Sequence, residues 1–190
     1  MRLLLASQSP RRRQLLSQLG YELAFVDIDF DESTVKSTQI PIETTAQTLA
    51  HCKAAAYDTS TLDDNTVLVT ADTVVALDDK ALGKPANRDE AIAMLQSLSS
   101  RAHTVYTGVC VRGRTAEKLF TEATQVHFRQ LSDDEIYYYV DTYRPYDKAG
   151  AYGIQEWIGM IGIERIEGDY YNVMGLPVCS LNQVLASWSL

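Results

Sequence analysis

Leu3-Leu4-Leu5-Ala6-Ser7-Gln8-Ser9-Pro10-Arg11-Arg12-Arg13 decides the fold class of this chain. Leu3 to Ala6 is a short unbroken apolar run, the pattern of a strand covered on both faces. Ser9 and Pro10 follow at once as an N-cap and a first helical residue, so the strand passes directly into a helix. Leu15, Leu16 and Leu19 continue at helical spacing, and Gly20 is the natural stop. Tyr21 to Ile28 then reads as a second strand, leading into an acidic loop with Asp29, Asp31 and Glu32. Strand, helix and strand in succession predict an α/β fold.

Further along, Thr44 with Gln47 predicts a capping box for a helix through Tyr57. After a polar turn at Asp58 to Asn65, Thr66 to Leu77 is a strand interrupted at Asp72-Thr73, and Asp78-Asp79 turns it into a hairpin arm ending at Gly83-Lys84-Pro85. Asn87 with Glu90 opens a helix whose Ala91, Leu95 and Leu98 share a face. His103 to Val111 and Leu119 to Phe128 are strands on either side of Arg112-Gly113-Arg114. Ser132 with Glu135 is a third capping box, for a helix through Ile136, Val140 and Tyr143. Ile158 to Ile166 alternates enough for a strand, Asn172 to Pro177 is a structural turn, and Ser180 to Trp188 is a closing helix. Hairpins among the strand–helix alternations make the expected sheet a mixed one flanked by helices, in a single domain over 1–190.

Composition narrows the function. The chain has 190 residues, with 17 basic and 25 acidic side chains and a net charge of −8. That balance argues against a nucleic-acid partner, whose phosphates reward a positive face, but leaves room for a small anion in a locally basic pocket. No apolar run approaches the roughly 18–20 residues that span a bilayer, so no membrane partner is expected. Ser7 and the arginines cut off the N-terminal leucines too early for a signal peptide. Cys52, Cys110 and Cys179 are scattered without a CxxC pair, as in a reduced cytoplasmic protein.

Several places can carry chemistry. A strand that turns into a helix presents free N–H groups and the positive end of the helix dipole, and guanidinium forks there match phosphate oxygens. Three cations at a helix start oppose its dipole, which favours an anion site over a merely solvated turn. At about 100° per residue, however, Arg11, Arg12 and Arg13 do not all face one ligand. Asp72 lies among apolar residues, where a carboxylate needs a partner or a metal; it either caps a bulge or works on a cation or an attacking water. Lys53 flanks the apolar seam of its helix, as a snorkelling side chain or one reaching into a cleft. Lys84 is aimed by the rigid Gly83-Pro85 turn. Between Asp147 and Gln155, Gly150 and Gly153 allow close approach, Lys148 adds charge, and Gln155 offers a donor and an acceptor to a base edge; a plain glycine turn is the alternative. The three histidines are dispersed and favour no metal site, His103 reading as a hydrogen-bonding residue at a strand end. GxSxG, GxGxxG and GxxxxGK[ST] are all missing. The remaining inventory, cations with carboxylates and no covalent nucleophile, fits metal-assisted phosphoanhydride hydrolysis.

ASxSPRR at Ala6–Arg12, LAxxKA at Leu49–Ala54, ADTVV at Ala71–Val75, LGKP at Leu82–Pro85, HxVxTGV at His103–Val109, DKAGAYGIQ at Asp147–Gln155 and NVxGLP at Asn172–Pro177 occur in the order seen in the Maf family. The chain resembles that family nearly end to end. The resemblance implies an elongated α/β fold shared with inosine triphosphatase-like enzymes, and nucleoside triphosphate pyrophosphatase activity with a divalent cation, Mg²⁺ or Mn²⁺. It implies Asp72 as catalytic base, Glu32 acting with Asp72 on the metal, and Ser7, Arg12, Lys53 and Lys84 as phosphate-handling residues. Arg11, Thr73 and Gln155 match positions tied to base selection. The DKAGAYGIQ form resembles the branch acting on dTTP and UTP, including some modified pyrimidine nucleotides. Oligomeric state is not written in the sequence, a homodimer being one allowed assembly. The competing reading is a nucleotide-binding regulator of cell division and septum formation without significant turnover. Three positions depart from the family pattern: Thr48 for an arginine, Ser100 for a glycine, and Glu156 for a small residue beside Gln155, the last bearing on base preference.

Overall fold

In the computed structural model, which describes residues 1–35 and 39–188, β1 (Arg2–Leu5) lies between β2 (Glu22–Phe25) and β3 (Thr66–Leu77) and runs parallel to both. α1 (Pro10–Ser17) joins β1 to β2 as the opening stretch predicts. Ser9 is its N-cap, accepting from the Arg12 N–H at 3.5 Å, and the chain leaves the helix through Gly20 at φ +78°. α2 (Ile42–Ala55) precedes β3, and Asp78 and Asp79, at φ 47° and 60°, turn β3 back into antiparallel β4 (Lys80–Leu82). α3 (Arg88–Leu98), β5 (Ala102–Arg112), β6 (Glu117–Phe128) and α4 (Asp133–Tyr143) follow. α5 (Trp157–Gly162), β7 (Ile163–Glu167), α6 (Tyr170–Met174) and α7 (Val178–Ala186) complete the described chain. The strands form one mixed seven-stranded sheet in the order β2-β1-β3-β5-β6-β7, with β4 beside β3.

The chain divides into two compact units. The first comprises Met1–Thr73, Thr107–Glu122 and Gly175–Leu190; the second comprises Val74–Tyr106 and Ala123–Met174. In the first, Ala50 and Ala54 of α2 bury against Leu62, Leu68 and Cys110. In the second, Ala91, Leu95 and Leu98 of α3 join Ile136, Tyr139 and Val140 of α4 in a core with Phe128 and Ile158. The caps of both helices hold. Asn87 accepts from the Glu90 N–H at 2.9 Å, and Ser132 and Glu135 form a complete capping box.

Six local expectations need correction. β2 is only four residues long, shorter than Tyr21–Ile28. α2 begins at Ile42, because Thr44 turns both its N–H and its hydroxyl onto the Pro41 carbonyl at 3.0 Å; Gln47 is then free of any box and accepts from Thr121 at 3.1 Å. β3 is continuous through Asp72-Thr73. Ile158–Ile166 is not one strand but α5 followed by β7. Gly159 permits this, since a Cβ there would sit 1.9 Å from the Ile154 carbonyl oxygen. Asn172–Met174, the first half of the expected turn, belong to a short helix, α6, which Gly175 closes at φ +110° in a turn that runs to Pro177, and the last helix spans Val178–Ala186 rather than Ser180–Trp188.

Candidate active site

α1 starts beside the end of β1, so its first turn delivers Arg12 to the first unit's sheet. Arg12 Nε donates to the Gly175 carbonyl at 2.7 Å and Nη2 donates to Thr73 Oγ1 at 2.9 Å, while Thr73 and Thr107 share a hydroxyl hydrogen bond of 2.9 Å. The fork is therefore clamped along one edge, leaving Nη1 and a second Nη2 hydrogen for an anion. Burial lowers the Arg12 pKa, Asp72 raises it, Arg11 lowers it and Glu32 raises it. Since a guanidinium keeps its charge, this is a desolvated cation. Arg13 goes elsewhere: it donates to the Ser7 carbonyl at 2.8 Å, stacks 4.8 Å over Phe25 and reaches Asp27 at 4.0 Å. The Ser7 hydroxyl accepts from the Ser9 N–H at 3.2 Å, which leaves its own O–H as a donor. Arg11 is half-buried in the same turn.

Lys53, in the last turn of α2, gathers the acidic groups. Its ammonium pairs with Glu32 at 2.6 Å and also contacts Asp72 Oδ2. The Thr73 N–H donates to Asp72 Oδ1 at 2.8 Å, so both oxygens of the mid-strand carboxylate have partners and β3 need not break. The Asp72 side chain is 15% exposed and that of Glu32 is 58% exposed, which separates a sheltered carboxylate from a solvent-facing one. Both are hard oxygen donors in contact with one nitrogen, a donor set that suits a hard divalent cation completed by phosphate oxygens.

The second unit carries Lys84 and Gln155. Lys84 is exposed in the turn after β4, next to Gly83, whose carbonyl accepts from the Gly150 N–H at 3.1 Å. Gly150 takes φ +72°, and a Cβ there would meet Val75 Cγ1 at 3.1 Å. Lys148 is 9% exposed, with Asp147 at 2.8 Å and Glu156 at 3.1 Å from its ammonium. The first unit thus brings Ser7, Arg11, Arg12, Glu32, Lys53, Asp72 and Thr73 together in one region, whereas Lys84 and Gln155 belong to the other unit. Thr107 and Gly175 escape sequence reasoning as site residues. Thr107 and Gly175 lie within the quoted motifs, but nothing in residue type shows that they hold Arg12.

Comparison with known proteins bears on this arrangement. Residues 2–188 match the family described as Maf-like protein. A dTTP/UTP pyrophosphatase of Bacteroides fragilis is 48% identical over 97% of this chain and 94% of its own length. One from Parabacteroides distasonis is 50% identical with the same coverage. One from Flavobacterium johnsoniae is 42% identical over 98% of this chain and 94% of its own. A nucleoside-triphosphatase (dITP/XTP pyrophosphatase) of Mycobacterium abscessus overlays 67% of this chain and 73% of its own at 16% identity and a TM-score of 0.40, too loose a likeness to carry an argument.

Proposed function

The chain belongs to the Maf family, and from that membership we propose that it is a nucleoside triphosphate pyrophosphatase cleaving dTTP and UTP, with related modified pyrimidine triphosphates, into monophosphate and pyrophosphate. The observation that supports this most directly is Lys53 joining Asp72 and Glu32 in the same unit as a clamped Arg12. Cations alone make a binding site; a sheltered carboxylate beside them suits hydrolysis. The whole span 1–190 acts as one catalytic domain in this reading.

The phosphate tail is bound by the outward hydrogens of Arg12, the Ser7 hydroxyl and the Lys53 ammonium, and the family resemblance gives Lys84 of the second unit a phosphate-handling role as well. Asp72 takes the proton from the attacking water as the bond between the α- and β-phosphates breaks, and later releases it to solvent. Pyrophosphate is the leaving group, and no covalent enzyme intermediate forms. Glu32 and Asp72 would hold Mg²⁺ or Mn²⁺, which when bound offsets the charge of the polyphosphate. Arg11, Thr73 and Gln155 bias the choice of base. Among the described residues no helix is long and apolar enough to cross a membrane, and the net charge of −8 disfavours long nucleic acid. Three free cysteines agree with a reduced, cytoplasmic setting.

The test is product identity. With Mg²⁺ or Mn²⁺ the protein is expected to turn dTTP into dTMP and pyrophosphate, resolved by ion-exchange chromatography. Asp72→Asn is expected to lose about 10³-fold in kcat while nucleotide binding persists. Formation of dTDP and orthophosphate would overturn the proposal, and full activity in Asp72→Asn would remove Asp72 as the base.

A further inference from the structure

Gln155 sits in a turn of the second unit that is tied at both ends. The Glu156 N–H donates to the Gly153 carbonyl at 3.0 Å, closing the turn. The Gly153 N–H donates to the hydroxyl of Tyr139 at 3.1 Å, and the same hydroxyl donates onward to Glu156 Oε2. Glu156 Oε1 pairs with the buried Lys148 ammonium at 3.1 Å, and Lys148 is braced in turn by Asp147. Tyr139 is fully buried on α4, inside the unit's core. A hydroxyl that both accepts and donates here links the core to Gly153 and Glu156, which bracket Ile154 and Gln155 in the turn.

The glycine of the turn shows how tightly the side chains lie over it. A Cβ on Gly153 would fall 2.9 Å from Glu156 Cδ and 3.1 Å from Gln155 Nε2, so both side chains pack against the bare α-carbon. Gln155 Oε1 is sealed from solvent and has no hydrogen-bond partner among the described residues. A buried acceptor left unmade is unfavourable in the free protein, and a rotation of the amide that brings it to a ligand donor relieves that cost. A thymine or uracil ring presents such a donor, its imide N–H, beside a carbonyl that the Gln155 amide N–H can meet. Cytosine has no imide hydrogen at that position and would leave the acceptor unmet.

We infer that Tyr139, Glu156 and Lys148 form a positioning network that sets the orientation of Gln155 and thereby the preference for an imide-bearing pyrimidine. The inference rests on the proposed role of Gln155 in base selection. These three are positioning residues, not catalytic ones. The Glu156 carboxylate joins the Tyr139 hydroxyl to the Lys148 ammonium and is the centre of the network.

The experiment compares Tyr139→Phe, Glu156→Gln and Gln155→Ala with the unaltered protein. The kcat/KM values for dTTP, UTP and dCTP are measured alongside inhibition by inorganic tripolyphosphate, which reads the phosphate-binding arm alone. Tyr139→Phe keeps the ring and removes the hydroxyl, and is expected to raise KM for dTTP and to shrink the dTTP-to-dCTP ratio of kcat/KM by about tenfold, with tripolyphosphate inhibition unchanged. Glu156→Gln is expected to move the ratio in the same direction by a few-fold, since it keeps an acceptor for Tyr139 and loses only the charge facing Lys148. Gln155→Ala is expected to flatten the ratio. Flattening in Gln155→Ala with an unchanged ratio in both Tyr139→Phe and Glu156→Gln would overturn the network and leave Gln155 as the reader; an unchanged ratio in Gln155→Ala would overturn both. Failure of the unaltered protein to hydrolyse dTTP or UTP would instead defeat the proposed function. Thermal unfolding of each variant completes the set: lost stability with an intact ratio assigns the network to folding and overturns the inference.

Discussion

At the scale of single residues, three consecutive arginines illustrate how similar side chains are sorted by where a helix begins. Arg13 is consumed by Ser7, Phe25 and Asp27, while Arg12 is held against Gly175 and Thr73. Two fixed contacts from one planar fork are something lysine cannot reproduce, because its ammonium is a single flexible point. Arg12→Lys is therefore expected to raise KM for dTTP by roughly tenfold or more with a smaller change in kcat, measured by initial rates over a range of nucleotide. The residue types of the site were legible in the sequence: the arginine cluster, the mid-strand Asp72 and Lys53 all stand out chemically. Their partners were not. That Lys53 pairs with Glu32, 21 positions earlier in the chain, and with Asp72, 19 positions later, depends on how α2 lies against β3.

Individual elements were most legible where local hydrogen bonding decides the outcome. Ser9, Asn87 and Ser132 all cap the helices they predict, because a cap is an interaction within four residues. Thr44 failed for the same local reason, its hydroxyl finding the Pro41 carbonyl instead of a free N–H. Ile158–Ile166 is a short apolar run that fits both periods, and the close approach of Gly159 to Ile154 that favours a helix involves backbone geometry. The joint between α3 and β5 exposes a further local conflict. Ser100 stands at φ +61°, a left-handed conformation that glycine adopts freely, and its N–H is held by the Arg129 carbonyl at 3.0 Å. Ser100→Gly is expected to stabilise the protein by roughly 0.5–1 kcal/mol and to raise the midpoint of thermal unfolding by a few degrees, read by calorimetry. An unchanged or lowered midpoint would show that the serine is not strained there.

On the scale of the whole molecule, the dependence of stability on pH follows from a histidine that the fold has taken out of water. His103 is 3% exposed, shares a 2.7 Å hydrogen bond with the Tyr152 hydroxyl and stacks near Phe128. Burial, with a smaller push from His127, lowers its pKa from 6.5 to about 4. The unfolded chain therefore binds the proton more readily than the folded one, and stability is full above about pH 6.5 and falls as pH drops toward 4, by about 3 kcal/mol in all. Urea unfolding at a series of pH values is expected to show this loss, and His103→Gln is expected to lack it; an equal acid loss in both proteins would assign it to other groups. The histidine itself is visible in the sequence, but its environment is assembled from β5, the end of β6 and the Asp147–Gln155 segment. The same division holds throughout this protein. Apolar runs, caps, turn residues and ordered motifs determined the α/β class, the family and the chemical inventory, because these depend on neighbours along the chain. Which guanidinium is clamped, which carboxylate is sheltered and which hydroxyl braces Gln155 were decided only by tertiary packing, because burial and hydrogen-bond geometry arise where distant segments meet.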